Sequence, residues 1–174
     1  MTNQEPLSEA PTLEFVNSES ANAAAAEPPQ PKTDPEAENR QADLAIGSAL
    51  IGAVERALAG SGADFAPQFR AVRLELADDY TFLDPFALDP STGRFEYSGS
   101  LVSVNQELPS STYVAGISEA LRRVVDRVAI GDRARRVRER VGLELALVAR
   151  KQGPALTQSG FRTQLDLIAG TKVI

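Results

Sequence analysis

The sequence predicts an α+β fold: a small antiparallel β-hairpin or sheet packed against several helices, with an N-terminal tail outside the folded part. Three features of the 174 residues lead there. Residues 1–40 are acidic and rich in Ala and Pro, the region from about 69 to 104 alternates apolar and polar residues, and the chain beyond Pro109 spaces its apolar residues as helices do.

The tail holds eight acids against Lys32 and Arg40, a net charge of −6, with the run Ala23 to Ala26 followed by Pro28, Pro29, Pro31 and Pro35. Such a segment buries too little apolar surface to offset the entropy of ordering, so residues 1–40 read as disordered. Its one apolar island is Leu13-Glu14-Phe15-Val16, in which Leu13 and Phe15 are candidate docking residues for a partner. Residues 41–174 read as a single small domain.

Within that domain, Ala45, Ala49, Ala53 and Ala57 recur at helical spacing beside Leu50 and Val54, so Asp43 to Leu58 is expected to be a helix, ended by Gly60, Gly62 and Pro67. Val72, Leu74 and Leu76 alternate with Arg73 and Glu75, which predicts a half-buried strand over Phe69–Leu76, continued or followed by another at Tyr80 to Leu83. Asp89-Pro90-Ser91-Thr92-Gly93 has the chemistry of a turn. Phe95, Tyr97, Gly99 and Leu101 alternate after it, and a bulge near Gly99 would explain why Val102 and Val104 fall on the other parity. A helix is expected next, capped by Ser110, Ser111 or Thr112, with the seam Val114, Ile117, Leu121, Val124 and Val128. Gly131-Asp132 separates it from a second helix carrying Ala134, Val137, Val141, Leu145 and Val148, which Gly153-Pro154 should stop. Phe161, Leu165 and Ile168 mark a short third helix ended by Gly170.

Composition removes much chemistry. The chain has no Cys and no His, so disulfides, Cys/His zinc sites and Ser-His or Cys-His catalysis are excluded. No G-x-G-x-x-G or G-x-x-x-x-G-K-[ST] run is present, and no cofactor or metal is expected. Met1 to Pro6 lacks the basic and apolar regions of a secretory signal. The longest apolar stretch, Leu44 to Val54, is too short to span a membrane, so a soluble cytoplasmic protein is expected. Asp78, Asp79, Asp84 and Asp89 form the one acidic cluster suited to a metal or to acid–base work. Asp84-Pro85 and Asp89-Pro90 are equally plain turn openers, and the spacing fits no calcium loop. Half the aromatic residues (Tyr80, Phe82, Phe86, Phe95 and Tyr97) fall close together, as a core sheet face or an exposed patch would require.

Charge is the most unusual feature. Residues 41–110 carry −6 and residues 111–174 carry +6, with eight Arg between Arg122 and Arg140. Arg133, Arg136 and Arg140 flank one side of the apolar seam of one helix and Arg138 the other, while Arg135 points outward; these five are the candidate interaction residues. Acids interleave at i,i+4 spacing (Glu119 with Arg123, Arg122 with Asp126, Asp132 with Arg136, Arg135 with Glu139), which suits a solvated, salt-bridged face or one that takes an acidic protein surface. Nucleic acid is the less favoured ligand, because no aromatic residues interleave with the Arg and the domain is not basic as a whole. The functional expectation is therefore a non-catalytic protein–protein interaction or assembly module, an adaptor that self-associates as a homo-oligomer. The alternatives are a nucleic-acid-associated regulator using the Arg-rich helices and a small enzyme or metal-binding protein using Asp78, Asp79 and Asp84.

Overall fold

The structure is a computed structural model that describes residues 35–86, 96–98, 101–103 and 108–173. The chain divides into two units, Met1–Lys32 and Thr33–Ile174, and every element described lies in the second. Five α-helices carry it: α1 (Pro35–Ala59), α2 (Phe65–Glu75), α3 (Ser110–Val128), α4 (Ala134–Ser159) and α5 (Leu165–Ala169). The tail residues Leu13 and Phe15, the expected turn at Asp89–Gly93, and Phe95, Gly99 and Val104 lie outside the described residues.

The expected α+β class is overturned, because among the described residues the architecture is helix against helix with no sheet layer between. Backbone pairing of β type among the described residues joins three residues to three, Glu96–Ser98 with Leu101–Ser103. That is too short to be the layer on which helices pack. The segment expected as a strand over Phe69–Leu76 forms α2 and its C-terminal cap. Its buried residues are Phe65, Phe69, Val72 and Leu76, spaced by four, three and four, whereas Leu74, on the same strand parity as Val72 and Leu76, is 44% exposed. Pro67 opens this helix instead of closing the one before. It sits in the first turn, where backbone N–H groups have no intrahelical partner to lose. The second expected strand, at Tyr80 to Leu83, is a 3-10 turn over Thr81–Leu83.

α1 begins at Pro35, upstream of the boundary expected at residue 41, and ends at Ala59. Ile46, Leu50, Ile51, Ala53, Val54, Ala57 and Leu58 are all fully or almost fully buried. They span more of the helix circumference than one stripe, so α1 needs neighbours on several sides. It packs against α2, α3 and α4. Its pairing with α4 is antiparallel: Gln158 reaches Asn39, Glu144 pairs with Arg56, and Arg140 donates to the Gly60 carbonyl.

α3 buries Val114, Ile117, Leu121 and Val124 as its spacing predicts, while Val128, the last of the expected seam, is only partly buried; no Ser or Thr side chain caps the helix, and Pro109 holds the N-cap position. α4 buries Val137, Val141, Leu145 and Val148. It does not stop at Gly153-Pro154. The helix kinks at Gln152 (φ −127°, ψ 25°), takes Pro154 into its interior, and runs on to Ser159. Pro154 has no N–H to give the carbonyl one turn back, and its ring crowds that turn, which accounts for the kink. Gly160, at φ +83°, then closes α4 in the left-handed conformation that Gly adopts without penalty. Phe161, Leu165 and Ile168 are buried across the following 3-10 turn and α5. A chain of ring contacts runs through the core from Tyr80 to Phe82, Tyr113 and Phe161, with centroid separations of 6.1–6.2 Å.

Helix phase over residues 65–76 is directly testable. Leu76→Ala removes a fully buried side chain and should cost about 2–5 kcal/mol. Leu74→Ala should stay within about 0.5 kcal/mol. Chemical denaturation reads both, and equal losses would restore the strand.

Candidate functional site

α4 packs against α1 and α3, so Val137, Val141, Leu145 and Val148 face inward and a second face of the same helix is left to solvent. That outward face holds Leu143, 69% exposed, and Leu147, 48% exposed, one turn apart. Arg136 and Arg140 precede Leu143 by seven and three positions, and Arg150 and Lys151 follow Leu147 by three and four. These spacings put all six residues on one side of a helix. All four cations are exposed. Arg136, Arg150 and Lys151 have no ion pair among the described residues. Two acids lie close by and both are already engaged: Glu139 with Arg135 at 2.7 Å and Glu144 with Arg56 at 3.1 Å. The result is a short leucine stripe framed by uncompensated positive charge.

The Arg residues singled out from sequence divide into two groups. Arg133 and Arg136 are exposed and carry no ion pair among the described residues, so the expected pairing of Asp132 with Arg136 is absent there. Arg135 is exposed and meets Glu139 as expected. Arg138 and Arg140 hold the fold together instead. Arg138 reaches from α4 to Asp126 of α3 at 2.8 Å and to the Ala169 carbonyl at the end of α5. Arg140 lies over Gly60, where a β-carbon would collide with the guanidinium. Leu143 and Leu147, absent from the sequence-derived set, complete the face.

On α3 the expected i,i+4 pairs form and join into a network. Glu119 accepts from Arg122 at 2.8 Å and from Arg123 at 2.7 Å, while Asp126 accepts from Arg122 at 2.7 Å as well as from Arg138. Hydrogen bonding from Arg122 holds the Glu119 carboxyl below the usual carboxylate range, against the opposing effect of burial and with further help from Arg123. Arg127 crosses to Glu75 of α2. These contacts engage acids of the chain itself, so Arg122, Arg123 and Arg127 present no free cationic surface.

The acidic cluster does not assemble. Asp78 and Asp79 are exposed in the turn after α2, and Asp84 accepts from the Phe86 backbone N–H at 2.8 Å, a side-chain turn closing on its own loop. Asp89 lies outside the described residues, among which no group of three metal-ligating side chains comes together. The aromatic residues are divided, with Phe82 buried in the core and Phe86 exposed. No helix among the described residues is long and apolar enough to cross a membrane. In comparisons with known protein families, curated proteins and solved structures, none matches the chain.

Two expected outcomes follow from the network. Arg138→Ala should cost about 1 kcal/mol, since it loses a half-exposed ion pair and a carbonyl contact that bridge three helices. Arg135→Ala, on an open surface, should leave the melting temperature unchanged. The second outcome concerns pH. Because the folded-state pKa of Glu119 is depressed, its contribution is complete above the unfolded-state pKa and is lost as pH falls through the folded one. Thermal unfolding as a function of pH should therefore show a shallower acid limb for Glu119→Gln than for the parent chain.

Proposed function

We propose that the chain is a non-catalytic interaction module, an adaptor whose outward α4 face takes an acidic, amphipathic segment of a partner protein. The observation that carries this reading is the exposure of Leu143 and Leu147 one turn apart on a helix whose neighbouring outward positions include Arg136, Arg150 and Lys151, none of them in an ion pair among the described residues. An amphipathic helix recognises such a surface by laying apolar anchors on the leucines and carboxylates against the rim. Rim charges of one sign steer the encounter and select partners of the opposite sign. The same charge disfavours packing this face against its copy in a second chain, where cation would meet cation, so a different protein is the better occupant. Nucleic acid would track the cations and leave the leucines unused.

The test is fluorescence anisotropy with a labelled acidic amphipathic helical peptide at about 0.15 M salt, beside single-stranded RNA and duplex DNA probes under the same conditions. Leu143→Ser with Leu147→Ser should weaken peptide binding by about tenfold or more without lowering the melting temperature. Arg136→Glu with Arg150→Glu should weaken it as well. Tight nucleic-acid binding that responds to the charge reversal and not to the leucine changes would replace this reading with the nucleic-acid one.

A further inference from the structure

Asp43 is the buried acid of the described residues, 5% exposed, and no hydrogen bond or ion pair engages it there. A cation placed beside such a carboxylate gains a charge-assisted hydrogen bond for which no internal partner competes. Asp43 also lines a cavity of about 210 Å³. Three elements meet at this cavity: α1 with Asn39, Ala42 and Asp43, the first residue of α3 with Ser110, and the last turns of α4 beyond its kink, with Gln158 and Ser159. Gln158 donates to the Asn39 side-chain carbonyl at 3.0 Å and closes one wall. One turn along α1 from Asp43, Gly47 lets the Tyr113 ring lie directly on the helix backbone, where a β-carbon would strike the hydroxyl. That hydroxyl is buried and has no hydrogen-bond partner. Burial, and then the charge of Asp43, raise its pKa, so the Tyr113 hydroxyl remains neutral.

We infer that this cavity is a binding site for the ammonium group of a small alkylamine, with Asp43 as its counter-ion. An ammonium offers three donors. Asp43 supplies a charged acceptor, and Ser110 with its hydroxyl and Gln158 with its side-chain carbonyl line other walls as neutral ones. Ala42 supplies an apolar surface for the attached methylenes. The volume suits a few carbons, since an engineered apolar cavity of about 150 Å³ admits benzene. A divalent metal is the wrong ligand: one carboxylate is present, and calcium or magnesium requires about six oxygen ligands. The positive N-terminal end of α3 at Ser110 and the negative C-terminal end of α4 at Ser159 act in opposite senses, so the carboxylate sets the sign of the ligand.

The experiment uses the full chain, n-butylammonium chloride as the probe, n-butanol as its neutral counterpart and sodium chloride to match ionic strength. Amide chemical shifts are followed through the titration. The expected result is shifts centred on Asn39, Asp43, Ser110 and Gln158, with binding about tenfold or more tighter for the amine than for the alcohol. In Asp43→Asn, which keeps the shape and removes the charge, that preference should vanish. Ala155→Leu fills the cavity from another wall and leaves Asp43 in place, so it should abolish amine binding even if the Asn variant folds poorly. Equal response of the parent chain to amine and alcohol, shifts located elsewhere, or an unchanged preference in a folded Asp43→Asn chain would each overturn the assignment.

Discussion

The burial of α1 is the constraint on which the rest of the structure depends. A surface helix needs one apolar stripe, but α1 buries Leu50, Ile51, Ala53, Val54, Ala57 and Leu58 within about two turns, on more than one side. Such a helix is stable only when enclosed, and α2, α3 and α4 provide the enclosure. The small side chains of Ala53 and Ala57 let neighbours approach closely, and bulkier Leu50, Val54 and Leu58 fill the space between. Contacts of Asn39, Arg56 and Gly60 with α4 fix its antiparallel register along nearly the whole length of α1.

That enclosure decides what α4 has left for other work. Its inner face is committed to α1 and α3, and its Arg residues at 138 and 140 are drawn into contacts with Asp126, the Ala169 carbonyl and the Gly60 carbonyl. Positions pointing away from these neighbours keep Leu143, Leu147 and a set of cations without internal partners. The positive charge of residues 111–174 is thus largely paired where helices meet, and the α4 face beside Leu143 and Leu147 keeps Arg136, Arg150 and Lys151 without an ion pair among the described residues. The kink at Gln152 belongs to the same arrangement. Beyond it the last turns of α4 return to α1, where Gln158 meets Asn39 beside the buried Asp43.

Much of the helical part was legible in the sequence. The seams at 114–124 and 137–148 and the short helix at 161–168 appear at the expected phase, because a single apolar stripe per helix leaves a clear period. Residues 69–76 were misread because the same apolar letters satisfy two periods. Val72, Leu74 and Leu76 alternate, while Phe65, Phe69, Val72 and Leu76 follow a helix, and only the burial of Phe65 and exposure of Leu74 separate the two. Gly153-Pro154 was read as a stop because local chemistry favours one, yet the burial of Leu156 carries the helix through a kink. The Arg-rich region was legible as a candidate site, but its division into pinned and open side chains was not. That division depends on Asp126, Gly60 and Ala169, remote in sequence. Spacing sets Leu145 on the inner seam and leaves Leu143 and Leu147 off it, but only the packing of α4 against α1 and α3 shows that no other element covers these two leucines. In sequence Asp43 is an ordinary acid near a helix start, and only the meeting of three elements buries it.

Native-state hydrogen exchange tests the central place of α1 most directly. In the full chain, amides of Leu50 to Leu58 should be the slowest to exchange and should open only with global unfolding, with an opening free energy equal to that from chemical denaturation. Amides of α5 and of the first turns of α2 should open at lower free energy. If the Leu50 to Leu58 amides instead exchange as fast as those of α2 or α5, α1 is not the enclosed helix on which the fold is built.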